Sequence, residues 1–314
     1  HPAVAHDHVQ RTAVVGQIDH PEAGPAVGGR AAAVGDLEQV QSAGSPARPN
    51  VPVLCTSWDE AVEKLGFSYD WKKYTLCEFI YSHFQLFGCQ PVIFCNVLDT
   101  DTMKNTLEAK EYDVSDHKIT LPFDTIAAGL KVSVPGDGGA DPAELKPDED
   151  YTVLYDENDG VCIVELLSSG SAYSAAKLSV SGSTVDTSAV VTADVVSGLG
   201  VIDACMSMVG VIPDLICAPG FSHLSVVAAI MATKAAGING LFRAKALVDV
   251  DCGAEGVTEY SDLTPWKKKN NMVDENQILC WPMVKLGDYK FHMSTQLAGL
   301  MAKVDTDNAG VPYE

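Results

Sequence analysis

Pro213-Asp214-Leu215-Ile216-Cys217-Ala218-Pro219-Gly220-Phe221-Ser222 is the stretch on which the fold turns. Residues 214–218 form a short apolar run between two prolines, which predicts a buried strand. Pro219-Gly220 breaks it, and Ser222 reads as the N-cap of an apolar helix over 222–236, with Gly237 and Gly240 at its end. Residues 246–250 then predict another strand. Parallel neighbours cannot be joined by a tight turn, so a strand, a helix and a second strand predict a crossover unit of a parallel sheet.

Reading outward repeats this pattern. Upstream, residues 201–209 predict an apolar helix. Downstream come a polar loop, a strand over 278–283, a turn at Gly287-Asp288, a strand over 289–292, and a final helix opened by Ser294 and running through 302. Nearer the N-terminus, residues 51–55 predict a strand. Ser57-Trp58-Asp59-Glu60 is a capping box, in which Ser57 and Glu60 satisfy orphan amides at a helix start. Trp58, Ala61, Val62 and Leu65 recur at helical spacing and Gly66 supplies the stop. A second helix is expected over 71–87 with Gly88 behind it, and 91–98 is an apolar run suited to a strand covered on both faces.

The pattern changes over 116–186. Leu130-Lys131-Val132-Ser133-Val134 and Lys177-Leu178-Ser179-Val180-Ser181 alternate with the period of a half-buried strand. Residues 151–155 and 161–166 flank Asp156-Glu157-Asn158-Asp159-Gly160 as the arms of a hairpin, and Pro135-Gly136-Asp137-Gly138-Gly139 reads as a surface loop. The expected architecture is therefore a largely parallel α/β protein with an inserted antiparallel β-sandwich. Residues 51–115 form its first α/β part, 116–186 the sandwich, and 187–314 the rest of the α/β core.

Residues 1–50 contain no Lys, Phe, Trp, Tyr, Cys or Met, yet hold three of the four arginines (Arg11, Arg30 and Arg48; the fourth is Arg243). No period of 2 or 3.6 is sustained there, so a disordered arm is expected, or else an out-of-frame translation of GC-rich DNA. The chain starts at His1 and stops at Val311-Pro312-Tyr313-Glu314 without a helix-ending signal, and reads as a fragment.

The formal net charge of −21 argues against nucleic acid as a partner, since phosphate binding needs a basic patch. The one basic run, Lys267-Lys268-Lys269, stands beside Trp266 and Asn270 in what reads as a solvated polar loop. Nine cysteines form no Cys-x-x-Cys pair and mostly lie in apolar runs, the usage of small buried hydrophobes in a reducing compartment. No apolar run approaches the ~20 residues that span a bilayer, so no membrane insertion is expected.

Several constellations could carry chemistry. Gly220-Phe221-Ser222-His223 sits between strand and helix as a nucleophile elbow would, but position 224 is Leu where that motif needs Gly. Ser294 also opens a helix, with His223, His292, Asp249 and Asp251 available on paper as base and orienting acid. For both serines, helix capping suffices as an explanation. Asp249-Val250-Asp251 ends a strand where α/β proteins bind ligands or Mg²⁺, though two acids at a strand's exit into solvent are ordinary. Gly198-Leu199-Gly200 lacks the third glycine of a dinucleotide loop. Asp156–Gly160 fails the calcium-loop register, with Gly160 fifth instead of sixth and Leu167 where the bidentate Glu belongs. His1, His6 and His8 could bind metal but fall in the atypical segment. No catalytic, cofactor-binding or metal-ligating residue is assigned.

Three stretches together resemble the contractile tail sheath family of bacteriophages and prophages. They are Val51-Pro52-Val53-Leu54-Cys55-Thr56-Ser57-Trp58-Asp59-Glu60-Ala61 with Tyr74-Thr75-Leu76-Cys77-Glu78-Phe79-Ile80-Tyr81, then 213–222, then Ser294-Thr295-Gln296-Leu297-Ala298-Gly299-Leu300 running into Asp305, Asp307-Asn308 and Gly310-Val311-Pro312-Tyr313-Glu314. The closing segment, with Trp281-Pro282 before it, is the most specific. The resemblance spans residues 51–314. It implies a subtilisin-like core domain without catalysis, a protruding β-sandwich, and no cofactor. It also implies a helical homo-oligomer around a tail tube protein, meeting a baseplate and a tail terminator, in a virion tail assembled in the host bacterial cytoplasm. The family's N-terminal arm and C-terminal domain are not matched. From a different class, the alternative is a subtilisin-like or esterase-like serine hydrolase using Ser222 or Ser294.

Overall fold

The structure, a computed structural model, describes residues 12–16, 48–136 and 141–308. His1, His6 and His8, residues 137–139 of the expected surface loop and 310–314 of the closing segment lie outside the described residues.

Three strands open the chain: β1 (Thr12–Gly16), β2 (Pro52–Cys55) and β3 (Val92–Asn96). β1 corrects the expectation of a structureless segment over 1–50. It pairs in parallel with β3 on one side, Thr12 opposite Val92 through Gly16 opposite Asn96. Between β2 and β3 lie α1 (Trp58–Leu65) and α2 (Thr75–Ile80), the latter passing into a π-helical turn over Tyr81–Phe87. The single helix expected over 71–87 is thus shorter at its start and wider-wound at its end.

At α1 the Ser57 hydroxyl accepts the Glu60 amide at 3.1 Å, as a capping box requires. The Glu60 carboxylate reaches one residue further back than expected, accepting the Thr56 amide at 2.6 Å and the Thr56 hydroxyl at 2.8 Å.

An antiparallel unit follows: β4 (Lys104–Asp113), β5 (Lys118–Pro122), β6 (Thr125–Val134), β7 (Ala143–Glu144), β8 (Tyr151–Asp156), β9 (Val161–Leu166) and β10 (Lys177–Val185). It begins at Lys104, twelve residues before the expected boundary at 116, because the mostly exposed β4 carries little alternating apolar signal. Four strands form one sheet in the order β4-β10-β6-β7 and three another in the order β5-β9-β8. Their inward residues, among them Ile119, Leu121, Val132, Val164, Leu178 and Val180, make one apolar core. Asp156 holds the β8–β9 turn, its Oδ1 accepting the Asn158 and Asp159 amides at 3.0 Å each.

The chain then returns to the first sheet through α3 (Thr192–Leu199), a 3₁₀ stretch and α4 (Cys205–Val209). By length and composition alone, residues 192–209 are long and apolar enough to cross a membrane. Val195, Leu199, Ile202 and Cys205 of this stretch are buried among the residues that cover the sheet. Next come β11 (Leu215–Cys217), α5 (Ser225–Ala236), β12 (Lys245–Asp249), α6 (Leu263–Lys269), β13 (Gln277–Cys280), the hairpin β14 (Val284–Leu286) with β15 (Tyr289–Phe291), and α7 (Met293–Asp307). Lys267–Lys269 therefore close a short helix and do not lie in a loop.

The first sheet has six strands in the order β13-β12-β11-β1-β3-β2, parallel throughout except for β2 at its edge. Side chains alternate across it as the pleat requires. Phe94, Leu215, Cys217 and Leu247 face a layer with Leu65, Leu76, Phe79 and Ala298, from α1, α2 and α7. Cys95, Ile216, Ala246 and Val248 face Val195, Val227 and Met231, from α3 and α5. The parallel strands carry helices on both faces, and β3 and β11 flank β1. The order therefore reverses at β1, and the strands' carboxyl ends beside that reversal are where such sheets place functional groups.

Candidate functional site

Four sites of chain meet beyond the carboxyl ends of β11 and β12: the turn after β11, the end of β12, the start of α7, and α2. They bring together Ser222, His223, Asp249, His292 and Ser294, with Glu78, 214 residues before His292, as the sixth contributor to the network. Asp249 closes β12 and is buried, which corrects the reading of Asp249 as an acid at a strand's exit into solvent; Asp251, past the strand's end, is half-buried. Its Oδ2 accepts the Ser222 hydroxyl at 3.1 Å and the Ser294 hydroxyl at 2.5 Å. Its Oδ1 accepts the Ser294 amide at 2.9 Å, and the Asp249 amide itself donates to the Ser222 hydroxyl at 2.9 Å.

Neither serine acts as the cap expected of it. α5 starts at Ser225, with Leu224 at its N-cap and no side-chain cap bond, so Ser222 ties the preceding turn to β12. α7 starts at Met293 after His292, and Ser294, inside the first turn, gives both its amide and its hydroxyl to Asp249. The carboxylate thus caps α7 from another element, placing a negative group where the helix presents unsatisfied N–H groups and its positive dipole end.

Glu78 holds the other side of that helix start. It lies in a run of α2 whose residues are all buried, and its own exposure is 1%. Its Oε1 accepts the His292 amide at 2.5 Å and its Oε2 is 2.8 Å from His292 Nδ1. Two buried carboxylates therefore fix consecutive parts of one helix N-terminus, and the His292 imidazole lies between their charges. Burial disfavours the charged imidazole, but the hydrogen bond and charge of Glu78, with the charge of Asp249, outweigh it and carry His292 up to about 9. Burial pushes the Asp249 carboxyl up, opposed by His292 and by the two Ser294 hydrogen bonds. Burial also pushes His223 down, helped by His292 and opposed by Asp251 and Asp249.

The arrangement gathers the residue types of a serine hydrolase without their connectivity. A serine nucleophile needs a base on its hydroxyl, an orienting group on that base, and room for a carbonyl. Both hydroxyls here are bonded to the carboxylate, and His292 is bonded to Glu78. Ser222 and Ser294 are each 0% exposed, so a substrate has no approach to either oxygen without movement of the chain. The chemistry the geometry supports is structural: charge-assisted hydrogen bonds joining α2, β11, β12 and α7.

Glu78 is the member that the sequence reading left unassigned. Its signal was a single acid amid Thr75-Leu76-Cys77 and Phe79-Ile80, an ionised group on a helix that is apolar all round. Of the described cysteines, Cys252 alone is partly exposed and all nine are free thiols. Burial pushes the Cys55 and Cys95 thiols up to about 12, which leaves them protonated and unreactive.

No protein-family model matches the chain, and no curated protein matches it.

Proposed function

We propose that this chain is a structural subunit of a contractile tail sheath, built on a subtilisin-like scaffold that does no catalysis. The sequence stretches around Trp58, Pro219-Gly220 and Ser294 motivate the sheath assignment. The observation that carries the non-enzymatic part is the complete burial of Ser222 and Ser294, each hydrogen-bonded to Asp249. The residues that would be catalytic in a hydrolase serve instead to fasten a helix to a sheet. An antiparallel unit inserted between β3 and α3 is also the arrangement expected of a sheath core carrying a protruding sandwich.

In this reading, copies join head-to-tail in a helical array around a tail tube protein, bounded by a baseplate and a tail terminator. Such heterologous contacts do not close on themselves and so make a filament. Contraction is a change between two packings of rigid subunits, the extended one metastable and the energy stored at assembly. The array belongs to a virion tail put together in the host bacterial cytoplasm, and no cofactor enters the mechanism.

Negative-stain electron microscopy of the protein expressed from its complete reading frame tests the assignment. Regular hollow tubes are expected. Dispersed particles at every concentration would count against a sheath.

One observation favours a second reading, a subtilisin-like or esterase-like serine hydrolase: the convergence of Ser222, His223, Asp249, His292 and Ser294 on one point. A fluorophosphonate probe separates the two. No labelling is expected; stoichiometric labelling that disappears in Ser222→Ala or Ser294→Ala would identify an enzyme.

A further inference from the structure

The chain carries 42 acidic side chains against 21 lysines and arginines, so copies of it repel one another unless a local cation bridges them. Seven of its 17 lysines are engaged with acids. Lys64, Lys73, Lys118, Lys146, Lys177, Lys234 and Lys303 each form an ion pair with a carboxylate. Lys267, Lys268 and Lys269 differ: they are consecutive, all exposed, and in no ion pair among the described residues. They form the last turn of α6, where a helix's negative dipole end favours cations, and backbone bonds from Asn270, Asn271 and Met272 hold that end in shape. Trp266, packed against the sheet's covering layer, anchors the same turn. The result is a rigid, concentrated positive surface on an otherwise acidic molecule.

A counterpart exists elsewhere on the same chain. A cleft of about 260 Å³ lies between the 68–74 segment of the α/β part and two turns of the antiparallel unit. Asp70, Asp124, Glu157 and Asp159 line it with one cation, Lys73, which is already paired to Asp124 at 2.7 Å. Glu157 and Asp159 have no ion pair among the described residues. Burial, reinforced by the charge of Asp156, pushes the Glu157 carboxyl up, so this side chain lacks a cation to offset its environment. Tyr69 and Phe123 supply apolar wall against which a lysine stem can lie.

We propose that the Lys267–Lys269 end of α6 docks into the acidic cleft at Glu157 and Asp159 of a second copy of this chain. Charge complementarity selects the occupant: the patch is basic, the molecule is acidic, and the cleft is concave and short of cations. Two different surfaces meet, so the contact is heterologous and leaves a free patch and a free cleft at the two ends of every pair. The inference rests on the assembly reading above and gives it a contact.

Its test is a charge exchange in the full chain, read by sedimentation at low and high salt. Wild-type self-association is expected to weaken as salt rises, because the contact lies at the surface. The K267E/K268E/K269E variant should associate about tenfold or more weakly, and E157K/D159K likewise, each with an unchanged melt. Asp156 holds the turn through backbone amides, so positions 157 and 159 can change sign without unfolding it. A chain carrying both sets of changes should recover most of the lost association. Wild-type association in either single-sign variant, no recovery in the combined one, or a wild type that stays monomeric at low salt would each overturn the docking. Microscopy on the same samples keeps the two ideas apart. Hollow tubes that persist in both charge variants would sink this contact while leaving the sheath assignment standing.

Discussion

Asp249 is the residue on which the site depends. Three protein groups donate to its carboxylate, and two of the donors, the Ser222 and Ser294 hydroxyls, are wholly buried. Asp249→Ala would leave those donors without their partner inside the protein and remove one of the two carboxylate charges that favour charged His292. We expect a loss of about 3–5 kcal/mol, the cost of breaking a buried charged network from one side. Urea denaturation measures it, and a loss below about 1 kcal/mol would show that the cluster contributes little. His292 adds a pH dependence. Its folded value, about 9, stands above the ~6.5 of an unstructured histidine, so the protonated form favours folding. That stabilisation is complete below about pH 6.5 and is lost as pH rises towards 9. Thermal melts across this window should fall for the wild type and run flatter for His292→Gln. Parallel curves would contradict the charged role.

At the scale of elements, α7 is set by both its ends and its packing. Asp249 and Glu78 hold its first turn, and Gly299 allows its body to lie against the π-helical turn after α2. A Cβ at position 299 would run into the Phe87 ring. Gly299→Ala is therefore expected to destabilise by about 1–3 kcal/mol although alanine is the better helix former, because overpacking outweighs propensity. A calorimetric melt at or above the wild-type temperature would mean that Phe87 moves aside freely. The helix shows how the site was only partly legible. Ser294 and the helix after it could be read from the chain, and so could His292 beside them. The carboxylates that hold them could not, since Glu78 lies 214 residues away and Asp249 45.

For the whole molecule, the deciding feature is β1. It pairs with β11 through Thr12 to Val14 and with β3 through Thr12 to Gly16, so it joins the two halves of the parallel sheet. Removing it would open the sheet at its middle and strand the backbone donors and acceptors of β3 and β11. A chain beginning at Val51 should consequently be insoluble or lack a cooperative unfolding transition, whereas the chain from His1 should melt cooperatively. Equal melts for the two would remove β1 from the fold.

The sequence by itself determined the elements that carry a local signature. Apolar runs between breakers located β3, β11 and β12, alternation located β6 and β10, the Asp156–Gly160 turn located the hairpin strands β8 and β9, and Ser57 with Glu60 located the start of α1. These patterns arise from contacts within a few residues or from the burial each strand demands, and both leave a mark on composition. Tertiary structure alone decided the rest. β1 has too few residues and too little pattern to be told from an arm until β3 and β11 offer it hydrogen-bonding edges. Ser222 and Ser294 look like caps locally, and only a fold that sets Asp249 between them turns their hydroxyls towards a shared carboxylate. A buried charge survives where partners from distant segments surround it, and sequence spacing holds no record of that encounter.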